Sequence, residues 1–248
     1  MRIFLTNETG YIGSVLKRRA IMQGHQMAEG LTGADVVIHT GWHGTRTGRN
    51  DVEMQQQNIS EALRWFNRTA WANVPRWIGL GSQAEILPTT PYAAAKVAVR
   101  EFSRVLGPID GVQVTWARLF SVYGPSDPGP SLIHNAIEAL LKSGTFTSET
   151  TCLQAWNLLF EDDAADAILA LCAAPPGDYD VATETPVVLQ DVLTCVRYQV
   201  NKPATVTFGD RLHPSMPQAN LAPIFAATAW RPKVTLAEGL RRTVEAAR

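Results

Sequence analysis

The sequence predicts an α/β fold with a doubly wound parallel sheet and a small α/β lobe beside it. Short apolar strand segments alternate with helical segments through the first two thirds of the 248 residues. This alternation implies a parallel sheet with helices on both faces. The run Asp35–Thr40 (DVVIHT) is apolar and β-branched at its centre, which is typical of a strand covered on both faces. The chain also opens with a strand, a glycine-containing turn and a helix, as such folds do.

The elements of the first part follow from apolar spacing and from helix-end signals. Gly10–Gln23 carries apolar residues at helical spacing, and Gly24 is a C-terminal stop. Thr90 and Pro91 supply the N-cap and the first residue of a later helix, which Gly107 and Pro108 are expected to end. The predicted elements are strand Arg2–Thr6, helix Gly10–Gln23, strand Asp35–Thr40, helix Asp51–Trp71, strand Arg76–Gly81, helix Pro91–Leu106 and strand Val112–Leu119.

After Tyr123 the pattern changes. The segment GPSDPGPS is a loop rich in proline and glycine, and helical segments dominate the rest of the chain. The predicted elements here are helix Leu132–Lys142, helix Asp162–Cys172, strand Tyr179–Val181, helix Leu189–Gln199, a proline-containing loop through Ala222, and helix Leu236–Ala247.

Composition excludes several classes of protein. The formal net charge is -1, which argues against nucleic-acid binding and against an anionic membrane surface as partner. No run of about 18 apolar residues is present, so no membrane-spanning helix is expected. No signal peptide is visible, and the three cysteines lack CxxC spacing. A cytoplasmic protein is therefore expected. The five histidines show no ligand spacing, so no metal site is expected either.

The first turn has the pattern of a phosphate-binding site. In TNETGYIG, Gly10 and Gly13 would let the backbone approach a pyrophosphate and let the helix pack closely on the strand. Asn7 replaces the first glycine of the GxxGxxG pattern. We expect Asn7 to preserve the turn, because asparagine tolerates positive φ better than other non-glycine residues. The alternative is a strand, turn and helix that bind no ligand.

A second candidate site combines Ser82, Tyr92 and Lys96. Tyr92 and Lys96 are four residues apart in the first turns of a predicted helix, so they share one face. A neighbouring cation favours phenolate and would lower the pKa of Tyr92, which suits a general acid or base. Ser82 closes a strand, where its hydroxyl could contact a substrate oxygen. The alternative is a chance YxxxK spacing in an ordinary helix.

These residues carry a resemblance to a known family. The chain resembles the extended short-chain dehydrogenase/reductases of the NAD-dependent epimerase/dehydratase type, which act on nucleotide-diphosphate sugars. Seven segments carry the resemblance in order along nearly the whole chain: TNETGYIG, DVVIHTG, QQQNISEAL, GSQAEI with PYAAAK, ARLFSVYGP, FEDDAADAI and AWRPKVTLAEGLRRTVE. It implies a Rossmann-like dinucleotide-binding domain at 1–122 and 151–182, and a substrate-binding lobe at 123–150 and 183–248.

The resemblance also implies roles for individual residues. Ser82, Tyr92 and Lys96 would be catalytic, with Tyr92 exchanging a proton with a sugar oxygen and Lys96 holding ribose hydroxyls of NAD or NADP. The implied cofactor-binding residues are Thr6, Asn7, Gly10, Tyr11, Ile12, Gly13, His39, Thr40, Gly41, Asn58, Tyr92, Lys96, Phe120 and Val122. The candidate substrate-binding residues are Gln83, Glu85, Ser121 and Arg211. Arg211 could clamp a diphosphate or be a solvated loop residue. A homodimer through the Asp51–Trp71 and Pro91–Leu106 helices is implied as well.

The sequence departs from the family most strongly between Gly24 and Asp35. Only the ten residues HQMAEGLTGA separate these positions, whereas a strand–helix–strand unit needs about 30. The family places its second strand, second helix and third strand here, with the residue that reads the adenosine ribose. Glu29 could take that role or be a solvated loop glutamate. Gln83 and Ala84 stand where dehydratases carry an Asp-Glu pair, so water elimination is disfavoured.

Two functions are therefore expected as alternatives. The first is an NAD(P)-dependent epimerase or ketoreductase that acts on a nucleotide-diphosphate sugar or a related hydroxylated metabolite. The second is a protein of the same fold with weakened or lost cofactor binding, which binds a metabolite or catalyses a non-redox reaction. Intact Ser82, Tyr92 and Lys96 favour the first, while Asn7 and the shortened segment favour the second.

Overall fold

Six parallel strands form the central sheet of the protein. The computed structural model describes residues 1–200, 203–213 and 217–248. The strands stand in the order β10-β5-β4-β3-β1-β2 and all pair in parallel. They are β1 (Arg2–Leu5), β2 (Gln26–Met27), β3 (Val36–His39), β4 (Arg76–Ser82), β5 (Gln113–Leu119) and β10 (Gly177–Val181). The expected parallel α/β fold is thus confirmed.

Helices cover both faces of this sheet. Because successive strand residues point to opposite faces, Val36 and Ile38 of β3 join the core on one face and Val37 joins the core on the other. The first face carries α1 (Tyr11–Met22) and α5 (Glu161–Leu171), and the second carries α2 (Val52–Trp71) and α3 (Pro91–Asp110). Every residue of β3 is buried, which explains its continuous apolar sequence.

A second apolar core lies beside the sheet. It joins three helices, α4 (Leu132–Ser143), α6 (Leu189–Gln199) and α8 (Leu236–Ala246), with short strands around them. The strands outside the central sheet are β6 (Ser121–Tyr123), β7 (Thr145–Thr150), β8 (Ala155–Trp156), β9 (Leu158–Phe160), β11 (Val187–Val188) and β12 (Thr205–Arg211). They pair as β6 with β9, β7 with β12 and β8 with β11.

The short segment between Gly24 and Asp35 retains more of the family pattern than expected. Gln26–Met27 forms β2, which pairs with β1 at the edge of the sheet. What the described residues lack here is the helix and the outer strand that would follow it. We expected the short segment to lack the whole strand–helix–strand unit. This expectation is wrong for the second strand, which is present as β2. Two backbone bonds hold it, from the Gln26 amide to the Met1 carbonyl and from the Ala28 amide to the Ile3 carbonyl.

The largest further differences from the predicted boundaries lie at the end of α3 and after Gln199. Helix α3 continues through Gly107 and Pro108 to Asp110, and Gly111 ends it at φ 68°. Gly107 is a packing position, since a Cβ there would lie 2.6 Å from Val114 Cγ2. The segment predicted as a loop from Gln199 through Ala222 contains β12, and helix α7 (Ala222–Ala227) begins at its last residue. Residues 201–202 and 214–216 of that predicted loop lie outside the described residues. In the part of the chain that is described, no helix is long and apolar enough to span a membrane.

Candidate active site

The candidate site lies at the carboxyl edge of the sheet, where the chain changes direction. From β1 the chain passes to β2 on one side, and then to β3 on the other side of β1. Such a switch point opens a crevice outside the strand ends, and ligands of open α/β sheets bind there. A cavity of about 460 Å³ occupies this position, and it extends from the start of α1 to Tyr92 and Lys96.

Two threonines tie the first turn to the end of β3. Thr6 Oγ1 accepts hydrogen bonds from the amides of Thr40 and Gly41, at 3.1 Å each. Thr40 Oγ1 in turn donates to the Asn7 carbonyl at 2.7 Å and accepts from the Asn7 amide at 3.0 Å. These bonds fix the two loops that flank the switch point relative to each other.

Asn7 preserves the turn by a different means from the one expected. It is not among the residues with positive φ, so the prediction that it supplies a left-handed conformation is wrong. Its side chain forms a local turn, in which Oδ1 accepts from the Thr9 amide (3.3 Å), the Thr9 hydroxyl (3.1 Å) and the Gly10 amide (3.1 Å). Asparagine side chains often stabilise turns in this way.

The start of α1 fits a pyrophosphate. The N-cap, Gly10, offers no side-chain acceptor to the first amides of the helix, which are the groups that bind anions at helix N-termini. A Cβ on Gly13 would lie 1.9 Å from the Asn7 carbonyl oxygen. Only glycine permits this close packing of the helix on the turn, as in dinucleotide-binding folds.

Ser82, Tyr92 and Lys96 line one cavity. Ser82 ends β4, and its backbone amide donates to the Glu85 carboxylate at 2.6 Å. Tyr92 and Lys96 lie in the first turns of α3, which Thr90 caps by accepting from the Ala93 amide. The Lys96 ammonium lies 5.9 Å from the centre of the Tyr92 ring.

Burial decides the acidity of Tyr92. It raises the pKa of the Tyr92 phenol, while the Ser82 hydroxyl and the Arg49 guanidinium act in the opposite direction. The expected lowering of this pKa by Lys96 is therefore wrong for this structure, because loss of solvation outweighs the favourable contacts.

Lys96 is buried together with an aromatic ring. Its Nζ donates to the Leu80 carbonyl at 2.7 Å and lies 3.5 Å from the centre of the Trp42 ring. Burial lowers the pKa of Lys96 to about 7, and the nearby Glu85 carboxylate opposes this shift. The protein thus already orients the Lys96 ammonium.

The loop between β3 and α2 contributes four cavity-lining residues that the sequence analysis did not select. These are Trp42, Thr45, Arg46 and Arg49. The only sequence signal is the glycine-spaced GTRTGR at positions 44–49, which contains three of the four and begins a few residues after the strand end. Arg46 pairs with Asp127 at 2.6 Å, while Arg49 lies over the Tyr92 ring at 4.5 Å.

The structure brings most, but not all, of the candidate residues into the cavity. Those that line it are Tyr11, Ile12, Thr40, Ser82, Gln83, Tyr92, Lys96, Phe120, Ser121 and Val122. Candidates that do not line it are Thr6, Asn7, Gly10, Gly13, His39, Gly41, Asn58, Glu85 and Arg211. The first four and Gly41 belong to the flanking turns, and the remaining four have other contacts.

His39 and Asn58 support the loop that follows β3. His39 stacks on Trp77 at 5.2 Å, and burial lowers its pKa to about 3, so the imidazole is neutral. Asn58 accepts from the His43 amide and donates to the His43 carbonyl, both at 2.9 Å. The Asn58 bonds hold the loop that follows β3.

Glu85 and Arg211 point elsewhere. The Glu85 carboxylate is buried beneath the end of β4 and accepts from the Trp116 indole at 3.0 Å and from Arg100 at 3.4 Å. Burial raises its pKa against these donors. Arg211 is exposed on β12 and pairs with Glu149 at 3.1 Å. Neither side chain lines the cavity.

The fold and the site together define a Rossmann-like α/β protein with a glycine-containing first turn and a Ser, Tyr and Lys set at one switch point. The chain belongs to the NAD dependent epimerase/dehydratase family, whose model matches residues 27–182.

Two relatives of known activity are similar to part of the chain. One is dTDP-D-glucose 4,6-dehydratase of Mus musculus, which is 27% identical over 168 residues, 64% of this chain and 47% of that protein. The other is UDP-glucuronate 4-epimerase of Thermodesulfobacterium geofontis, 24% identical over 164 residues, 63% of this chain and 50% of that protein. The chain thus spans about half the length of these relatives.

A solved structure extends the similarity of fold to the whole chain. RMD from Pseudomonas aeruginosa, complexed with NADPH, superposes with a TM-score of 0.88 at 16% identity and covers 99% of this chain and 98% of its own. The likeness confirms the Rossmann-like fold.

Proposed function

We propose that the protein is an NAD(P)-dependent epimerase or ketoreductase that acts on a nucleotide-diphosphate sugar or a related hydroxylated metabolite. One observation carries the proposal. Ser82, Tyr92 and Lys96 line the same cavity as the first residues of α1, so a proton-transfer group and an anion-binding helix end face one ligand space. The family to which the chain belongs supports the cofactor class.

The residues present fit a nicotinamide dinucleotide. The uncapped start of α1 and the glycine contact at Gly13 would hold its pyrophosphate, and Lys96 would hold its ribose hydroxyls. When bound, the nicotinamide would accept or donate hydride. Tyr92 would exchange a proton between its phenol oxygen and a hydroxyl or keto oxygen of the sugar, while Ser82 would hydrogen-bond that oxygen. The choice between NAD and NADP stays open.

A Tyr92→Phe variant tests the chemical role. It removes the phenol oxygen and keeps the ring against Trp42, which meets it edge-on at 6.2 Å. We expect turnover to fall at least a hundredfold, because general acid–base catalysis contributes about that much or more, while NAD(P)H affinity stays within about twofold. Full activity in this variant would refute the proposed role.

The second candidate function is binding or non-redox catalysis without a functional dinucleotide site. It is favoured by the Asn7 side chain, which already bonds the Thr9 and Gly10 amides at the turn, and by the two-residue β2. Fluorescence titration of the purified chain with NADH and NADPH separates the two functions. Absence of binding at millimolar cofactor would favour this second candidate.

The remaining expectations are part of the same proposal. We propose a cytoplasmic homodimer with a dinucleotide-binding domain at 1–122 and 151–182 and a substrate-binding lobe at 123–150 and 183–248. Water elimination is not proposed, because Gln83 and Ala84 stand where dehydratases carry two acids.

A further inference from the structure

We propose that Arg49 binds an anionic group carried by the sugar itself, so that the preferred substrate is an acidic sugar nucleotide. The inference rests on the proposed function and specifies its substrate class. The charged side chains that line the cavity are the first observation behind it. Lys96, Arg46 and Arg49 line it, and none of the described lining residues is aspartate or glutamate.

The three cationic side chains differ in the hydrogen-bond and ion-pair partners that they already have. Lys96 donates to the Leu80 carbonyl and belongs to the catalytic set. Arg46 is held by Asp127 at 2.6 Å. Among the described residues, no carboxylate forms an ion pair with Arg49, an exposed residue whose guanidinium lies over the Tyr92 ring and interacts with its phenol. Arg49 is therefore the cation of this cavity whose charge is available to a ligand.

The position of Arg49 indicates which part of a ligand it would contact. Its guanidinium carbon is 4.5 Å from the centre of the Tyr92 ring, so it lies beside the proposed proton-transfer group. An anion bound there would be close to the reacting carbon. A carboxylate on the sugar ring satisfies this condition, and guanidinium suits a carboxylate because it can donate two parallel hydrogen bonds.

The backbone around Arg49 holds the residue in this place. The Arg49 carbonyl accepts from the Tyr92 amide at 3.0 Å. One residue earlier, the Gly48 carbonyl accepts from Gln55 Nε2 at 2.9 Å and from the Asp51 amide at 3.2 Å. The loop is thus anchored to the starts of both α2 and α3, which fixes the path of the chain on each side of the arginine.

A binding experiment on the full chain tests the inference. Isothermal titration calorimetry compares UDP-glucuronate with UDP-glucose, GDP-mannuronate with GDP-mannose, and each nucleoside diphosphate alone. The variants are Arg49→Gln, which removes the charge, and Arg49→Lys, which keeps it. Arg68→Gln is the matched control, since Arg68 also lies over an aromatic ring, Trp65 at 4.4 Å, on the exposed surface of α2.

We expect the native chain to bind one acidic sugar nucleotide more tightly than its neutral counterpart, by on the order of tenfold or more, because charge-assisted hydrogen bonds have that strength. Arg49→Gln should abolish this preference and leave the neutral ligand within about twofold. Arg49→Lys should retain part of it, and Arg68→Gln all of it.

Any one of several results would overturn the inference. The first is equal affinity for acidic and neutral ligands in the native chain, and the second is an unchanged preference in Arg49→Gln. The third is an equal loss for both sugars and for the nucleoside diphosphate alone, which would assign Arg49 to the diphosphate. An Arg49→Gln variant that binds normally but turns over both sugars slowly would likewise show that Arg49 serves only the Tyr92 phenol.

A separate measurement distinguishes failure of the proposed redox function from failure of the acidic-ligand site. Nicotinamide absorbance during turnover tests hydride transfer independently of these affinities. An Arg49-dependent preference without hydride transfer would refute the redox function and support the acidic-ligand site. Hydride transfer without any preference would refute only the acidic-ligand site, and failure of every sugar nucleotide to bind would overturn that site as well.

Discussion

The Lys96 ammonium lies 3.5 Å from the centre of the Trp42 indole ring. The indole itself is fixed, because its Nε1 donates to Gln55 Oε1 at 3.0 Å. Its edge contact with Tyr92 connects it to the second member of the proposed catalytic set. A cation over the face of tryptophan is stabilised by about 2 kcal/mol when desolvated. Trp42 is therefore a positioning residue for Lys96.

Two replacements of Trp42 should distinguish the effect of its aromatic face from the effect of its apolar volume. Trp42→Leu removes the aromatic face, and we expect kcat/KM to fall about tenfold or more, as the loss of roughly 1.4–2 kcal/mol implies. Trp42→Phe keeps a ring against the ammonium and should retain most of the activity. Steady-state kinetics and NAD(P)H affinity are the measurements.

A matched control for this pair is Tyr198→Leu. It removes an exposed ring whose centre lies 4.6 Å from the guanidinium carbon of Arg197. It should leave kcat/KM unchanged. Equal activities in Trp42→Leu and the native chain would show that the indole does not position Lys96.

The buried Lys96 also makes stability depend on pH. Burial lowers its pKa from 10.5 to about 7, so between these values the unfolded chain holds more protons on this lysine than the folded chain does. The free energy of unfolding therefore rises with pH through this window, by at most about 1.4 kcal/mol per pH unit. Below about pH 7 the cost of burying the charge is fully present.

Urea denaturation at pH 7, 8 and 9 measures this dependence. The native chain should gain stability relative to Lys96→Met as the pH rises. Lys142→Met removes an exposed lysine from the last turn of α4, and the difference between it and the native chain should stay constant over the same pH values. A constant difference for Lys96→Met as well would contradict the assigned pKa.

Asn7 should respond differently to two substitutions. Asn7→Ala removes the acceptor of three hydrogen bonds at the turn, and we expect a loss of about 1 kcal/mol in the free energy of unfolding. Asn7→Asp keeps the acceptor but places a carboxylate beside the start of α1. It should weaken NAD(P)H binding about tenfold with little loss of stability, because like charges repel at the proposed pyrophosphate position.

The control is Asn135→Asp, which adds the same charge on the exposed surface of α4. Its cofactor affinity should equal that of the native chain. If Asn7→Asp binds NAD(P)H as tightly as the native chain does, the turn does not contact the cofactor.

The parts of the molecule that sequence could predict are those with a local physical signal. Helix α6 has the predicted bounds, Leu189 to Gln199, because its apolar spacing and its packing agree. Ser82, Tyr92 and Lys96 could be grouped in advance, because a strand end and the first turns of the next helix have fixed places in a parallel α/β fold. The glycine-containing turn between β1 and α1 could be located for the same reason.

The parts that could not be predicted depend on contacts between distant segments. Strand β12 pairs with β7, about 60 residues earlier, and its residues are mostly exposed or half-buried, so no apolar pattern marks it. Pro108 carries the sequence signal of a helix end, yet α3 continues past it to a left-handed Gly111. The contact of Trp42 with Lys96 depends on the conformation of the loop between β3 and α2. No periodic spacing of apolar residues marks such a loop in the sequence.

An apolar surface on α3 supports the proposed homodimer. Phe102, Val105 and Ile109 are three and four residues apart, so they share one helix face, and all three are exposed, Ile109 at 73%. Ile109 is part of this face only because the helix continues past Pro108. Trp71 is also exposed at the end of α2, which packs against α3. Burying such a surface in a second copy would be favourable.

Light scattering after size exclusion measures the outcome. We expect twice the chain mass of 27.1 kDa for the native protein, and a monomer for the double variant Val105→Glu, Ile109→Glu, because charges in an apolar interface would lose their hydration. Leu212→Glu adds a charge at an equally exposed apolar residue outside these helices and should remain dimeric. A native protein with the mass of one chain would contradict the homodimer, and a double variant that stays dimeric would move the interface to another surface.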